Sequence, residues 1–147
     1  MATYTKIPDW TERLIESANL DTDNFSIALS NTAPASESSD PLLDGNGILA
    51  NVTQIAYTNY SDTLAVDRRL EGTAGTSTGG VYKFDADSFT ITASGGAIAD
   101  WRYLYVFDDT LTDDPLVAVW DYGSTLDLAD GDSAAININA AGVFTVT

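Results

Sequence analysis

From Asn24 onward the apolar residues of this chain recur at every second position, in short runs cut by turn residues. That period constrains the fold more than any other feature, because it belongs to strands with one face buried. Phe25, Ile27 and Leu29 alternate with Ser26, Ala28 and Ser30, which reads as a half-buried strand. VYKF (81–84) and DSFTITA (87–93) alternate likewise, and Ser-Gly-Gly ends them. WRYLYVFDD (101–109) is aromatic throughout and reads as a central strand, with Trp101, Tyr103, Tyr105 and Phe107 on one face. After the turn DTLTDDP, LVAVWDYG (116–123) reads as its antiparallel partner. The Asp130-Gly131 turn follows, and AAGVFTVT closes the chain as a final strand after Gly142.

The remaining segments are less regular. TLAVDRRLE (63–71) is expected to be a strand with Leu64, Val66 and Leu70 mainly on one face. GTAGTSTGG (72–80) reads as a flexible loop,. ILANVTQIAY (48–57) suits a short helix better than a strand, and NTAPASESSDP with the following DGNG makes a polar, turn-rich loop over 31–47,. The one clear helix is DWTERLIESA (9–18), after Pro8. Asp9 can cap it with Glu12 three residues on, and Trp10, Leu14 and Ala18 share a face. A helix of about three turns must dock through Trp10 and Leu14 to persist. Residues 1–8 precede it as an extended segment.

Strands spaced roughly every ten to fifteen residues, with polar turns and little helix, describe an antiparallel β-sandwich or jelly-roll-like body. The expectation is therefore a mainly β single domain over 1–147, with a short N-terminal helix. At 147 residues it can bury roughly 68–70% of its unfolded surface without metal or disulfide staples,.

Composition then removes whole classes of chemistry. There is no His and no Cys, so imidazole bases, thiol nucleophiles and Cys/His zinc sites are excluded,. Six basic residues against 22 acids give a net charge of −16, which repels phosphate backbones and argues against nucleic acid,. The N-terminus MATYTKIPDWTERL has no apolar core of a signal peptide, and the apolar runs are too short to span a bilayer, so no membrane partner is expected,.

Four candidate sites remain. Asp-rich turns at 21–24, 108–114 and 127–132 suggest calcium, but none has the EF-hand spacing, and solvated turns are the ordinary home of Asp,. Asp121, between Trp120 and Tyr122, suggests a carboxylate working beside a sugar ring, against the plainer reading of one polar residue between core aromatics,. The Gly-rich loop at 72–80 lacks the lysine and the helix of a phosphate loop,. An interaction surface is the expectation that stands. Its candidates are the N-terminal residues Ala2, Thr3, Tyr4, Thr5 and Lys6, which can pair with a neighbour by β-addition, and Arg68 and Arg69, the only adjacent basic pair,. Internal pairing of those arginines with the chain's own acids is the alternative. No catalytic residue, cofactor or metal is expected.

The opening ATYTK with its short helix, the strand leading to SNTAP (30–34), the blocks WRYLYVFDDT and DPLVAVWDYGS (101–124), and the close LDLADGDSAAININAAGVFTVT (126–147) together resemble small structural proteins of tailed bacteriophages. The resemblance implies a non-enzymatic capsid decoration, or cement, protein. Such a protein is made in the host bacterial cytoplasm and binds the outside of the major capsid protein lattice, usually as a trimer. A tail or fibre component recognising the host, with a carbohydrate-binding face on Trp101, Trp120 and Tyr122, is the alternative.

Overall fold

The aromatic segment at 101–108 does form a central strand, and the rest of the molecule is arranged around it. The computed structural model describes residues 1–147. In chain order the elements are β1 (Thr3–Lys6), α1 (Trp10–Glu16), β2 (Phe25–Ser30), β3 (Tyr60–Asp62), β4 (Ala74–Thr78), β5 (Val81–Asp85), β6 (Phe89–Ala93), β7 (Trp101–Asp108), β8 (Leu116–Leu126), β9 (Ser133–Ile136) and β10 (Phe144–Val146). They build three antiparallel sheets, ordered β1-β8-β7-β2, β10-β5-β4 and β3-β6-β9. The protein is mainly β with one short helix, a sandwich-like body as its periodicity requires.

One core of buried apolar side chains draws on all three sheets. Its centre is a cluster of four rings. Phe25 of β2 meets Phe84 of β5 with centroids 4.7 Å apart, and Phe84 stacks on Phe144 of β10 at 5.1 Å. Trp10 of α1 stands edge-on to both Phe25 and Phe144 at 6.0 Å. Each such contact adds about 0.5–1.5 kcal/mol beyond area burial. The helix thus docks through Trp10 as expected, and joins two sheets.

Several expectations are corrected. β2 is buried along its whole length rather than on one face. Its outer edge is covered by irregular chain: Ile27 N–H donates to the Arg68 carbonyl, Leu29 N–H to the Tyr57 hydroxyl, and the Phe25 and Leu29 carbonyls accept from Leu70 and Ile55. Residues 63–71 make no strand. Asp62 draws Leu64 N–H and Arg68 N–H onto its carboxylate and turns the chain, so that Leu70 is buried while Val66 is 50% exposed,. Residues 48–57 hold only one 3-10 turn, Leu49–Asn51, because their N–H groups find partners on Asp114 and Leu29.

The Gly-rich segment 72–80 is not a loop. Most of it is β4, which pairs with β5 through Gly79 and Gly80, both at positive φ,. β4 is exposed on both faces, which is why no apolar alternation marks it. The last two strands do not pair with each other, since β9 pairs with β6 and β10 with β5.

The helix is shorter than 9–18, and Asp9 does not cap it. Its carboxylate accepts instead from Gly45 N–H at 3.0 Å and Gly47 N–H at 2.9 Å, pinning the DGNG turn to the helix start. Residues 1–8 are no loose tail, because Thr3–Lys6 is β1 on the edge of β8 and Ile7 is fully buried. Removing 2–7 would therefore take away a strand and a core side chain, not a dispensable arm.

Candidate functional site

β1 lies antiparallel to β8 with Thr3 opposite Asp121, Tyr4 opposite Trp120, Thr5 opposite Val119 and Lys6 opposite Ala118. All four β1 residues are exposed. The Tyr4 ring stands edge-on to Trp120 at 5.2 Å, and burial beside it raises the Tyr4 hydroxyl pKa above its ordinary value. Beyond this pair runs a groove of about 700 Å³ between the β1–β8 face and the segment 135–145, with Lys6, Asn137, Asn139 and Thr145 among its polar lining. Of the sequence-derived interaction residues, Ala2, Tyr4 and Lys6 line this groove. Thr3 and Thr5, one position out of phase, belong to the opposite face of the strand.

The two arginines are engaged with their own chain. Arg68 sits at φ 58°, its guanidinium 4.0 Å above the Tyr57 ring and its Nε 3.2 Å from Asp67. Tyr57 is the residue whose hydroxyl satisfies the edge of β2, so Arg68 packs on the support of that edge. Arg69 reaches Asp109 at 3.8 Å, and its Nε is enclosed without a partner. The pair lies far in the sheet from the N-terminal residues, β2 and β1 being opposite edges.

Asp121 is held by Arg102. Nε donates to Oδ1 at 2.6 Å and Nη2 to Oδ2 at 2.8 Å, and Gly123 N–H donates to Oδ1 at 2.7 Å. These hydrogen bonds, the arginine's first, hold the Asp121 carboxyl below the usual carboxylate range. A glycosidase acid needs the opposite shift. The aromatic platform is also incomplete: Trp101 is fully buried, with Tyr122 edge-on to it at 5.2 Å.

Two of the three Asp-rich turns come together, where β2 begins and β7 ends. Asn24 N–H donates to Thr110 Oγ1 and Asp109 N–H to the Asn24 carbonyl. Asp108 is fully buried there. Its Oδ1 accepts from Thr110 and Leu111 N–H, while Oδ2 is enclosed without a partner. Burial pushes its carboxyl up to about 6, with Asp23 nearby adding to the shift against the pull of the two backbone donors. The third turn is separate, Asp130 accepting from Gly95 and Gly96 N–H and Asp132 from Ala129 N–H. No three acids gather closely enough to hold a metal ion. Arg102 is a position that pattern reading passes over, and Asp108 enters it only as one member of an Asp-rich turn. Their only signal is a charged residue inside or ending an aromatic strand.

No family model matches the chain, and no curated protein or solved structure matches it either.

Proposed function

We propose that this chain is a non-enzymatic structural protein of a tailed-phage virion, a decoration protein that binds the outer surface of the major capsid protein lattice. One observation supports this reading. The segments behind the resemblance are scattered through the sequence, yet ATYTK contains β1, β2 leads into SNTAP, WRYLYVFDDT contains β7, and DPLVAVWDYGS contains most of β8. Those four strands are one hydrogen-bonded sheet. The fifth segment, 126–147, carries β9 and β10 in the other two sheets, so the support is that four of the five segments share one sheet.

The side-chain chemistry is consistent with work by contact. The acids with the clearest environments hold turns or an arginine, which leaves a β body able to bridge neighbours. Purified protein added to shells lacking it should bind in hundreds of copies and raise their resistance to heat. Failure to bind, or a copy number in the tens on whole particles, overturns the decoration role.

The groove beside Tyr4 and Trp120, with the amides of Asn137 and Asn139 on its wall, favours a second reading, a tail component that binds carbohydrate. A glycan array decides it: a blank result removes the idea.

A further inference from the structure

The sheet β1-β8-β7-β2 has two edges that have been treated very differently. That of β2 is closed by Tyr57, Arg68, Leu70 and Ile55. That of β1 is bare. Ile7 N–H donates to the Val117 carbonyl of β8, so by strand alternation Thr3 and Thr5 also turn their backbone groups to β8,. Ala2, Tyr4 and Lys6 then present N–H and C=O outward, with no neighbouring strand in the sheet,.

What surrounds this edge is unusual for so acidic a chain. All 22 acids fall between Asp9 and Asp132, and neither residues 1–8 nor residues 133–147 contain one. Those two ends make most of the groove wall, where the only charged side chain is Lys6. The nearest acid in the sheet, Asp121 opposite Thr3, is paired with Arg102, so two molecules of −16 each can approach here against little carboxylate repulsion,.

The edge is also complementary to itself. Thr3-Tyr4-Thr5 reads the same in both directions. In an antiparallel pair centred on Tyr4, each Tyr4 exchanges both backbone hydrogen bonds with its counterpart, and Thr3 faces Thr5 of the other copy. We infer that two copies of the chain join antiparallel through their β1 edges about a twofold axis at Tyr4, making one continuous eight-stranded sheet.

This does not rest on the virion reading. A ring closed through the same sheet would need a second bare edge, which β2 does not offer. The other two sheets end in β10 and β4 and in β3 and β9; β4, the longest of these and exposed throughout, reads Ala-Gly-Thr-Ser-Thr and carries no apolar side chain larger than alanine to bury across a junction,.

Sedimentation equilibrium of the intact chain at micromolar concentration should give twice 15.6 kDa. Thr3 and Thr5 are exposed, so their replacement leaves the monomer folded. The double variant Thr3→Glu/Thr5→Glu places like charges opposite one another in the pair, as does Thr3→Lys/Thr5→Lys. Each alone should be a monomer, and mixing the two should restore a two-chain species that salt weakens. If either double variant fails to fold, amide exchange on the unaltered protein decides. The Tyr4 and Lys6 amides should gain protection as concentration rises. A wild type that is a monomer or a trimer, double variants that stay dimeric, or β1 amides indifferent to concentration would each overturn the inference.

Discussion

Arg102 and Asp121 grip one another across β7 and β8 through two parallel hydrogen bonds of 2.6 and 2.8 Å, at the point where the two strands lose register. Trp101 pairs with Leu126 but Tyr103 pairs with Asp121, so a single residue of β7 lies opposite four of β8. The same carboxylate accepts from Gly123, whose φ of +80° lets the bulged chain turn back,. Bidentate arginine pairs fix geometry as well as charge. Both groups are about one-third exposed and solvent screens their charges, so the pair serves mainly to hold the bulge,. In Arg102→Leu the Asp121 carboxyl should titrate closer to its ordinary range by NMR, and the Gly123 amide should exchange faster. An unchanged Gly123 would show that the bulge holds itself.

Stability should fall as pH rises through about 6. Asp108 has a folded-state pKa pushed up to about 6 from an ordinary 3.8, so the folded protein holds a proton that the unfolded chain has lost,. Its contribution is fully present below pH 3.8 and disappears as pH passes 6. Asp85 and Asp121, held low by Lys83 and Arg102, act in the opposite sense and lose their contribution as pH falls below that ordinary value. Urea midpoints should therefore peak near that ordinary value of 3.8 and decline on either side of it,. Asp108→Asn keeps an acceptor for Thr110 and Leu111 and replaces the orphaned oxygen with a donor. It should flatten the decline on the alkaline side.

Tyr57→Phe should cost about 1–3 kcal/mol, because it removes the acceptor of Leu29 N–H and leaves that donor inside the covered β2 edge,. The ring remains beneath Arg68, so the loss isolates the hydroxyl. Equilibrium unfolding measures it directly, and an unchanged midpoint would mean that water replaces the hydroxyl.

Trp10→Ala should cost about 3–5 kcal/mol, since a fully buried ring leaves a cavity between two sheets,. Trp10→Phe should cost clearly less. The indole Nε1 is buried without a partner, so its removal also removes an unsatisfied donor,. Thermal melts of both variants give the comparison.

Period-two alternation located β2, β5 and β6, and continuous apolar runs located β7 and β8, because a strand that buries apolar side chains leaves one pattern or the other,. The helix was legible through Trp10 and Leu14 for the same reason. β4 was not, since a strand exposed on both faces buries nothing and leaves no pattern. Segment 63–71 misled in the other direction, as Asp62 offered its backbone a closer acceptor than any strand could.

The acids illustrate the same division. Their number and the absence of His and Cys set the available chemistry from the sequence alone. Whether a given carboxylate would be a turn cap like Asp130, a clamp like Asp121 or a buried proton holder like Asp108 was decided by neighbours distant in the chain. Local order is written in residues a few positions apart, so the sequence determined it. Which sheet edge is covered and which left bare depends on contacts between Arg68 and Ile27 or Tyr57 and Leu29, and only the closed tertiary structure brings those residues within hydrogen-bonding distance.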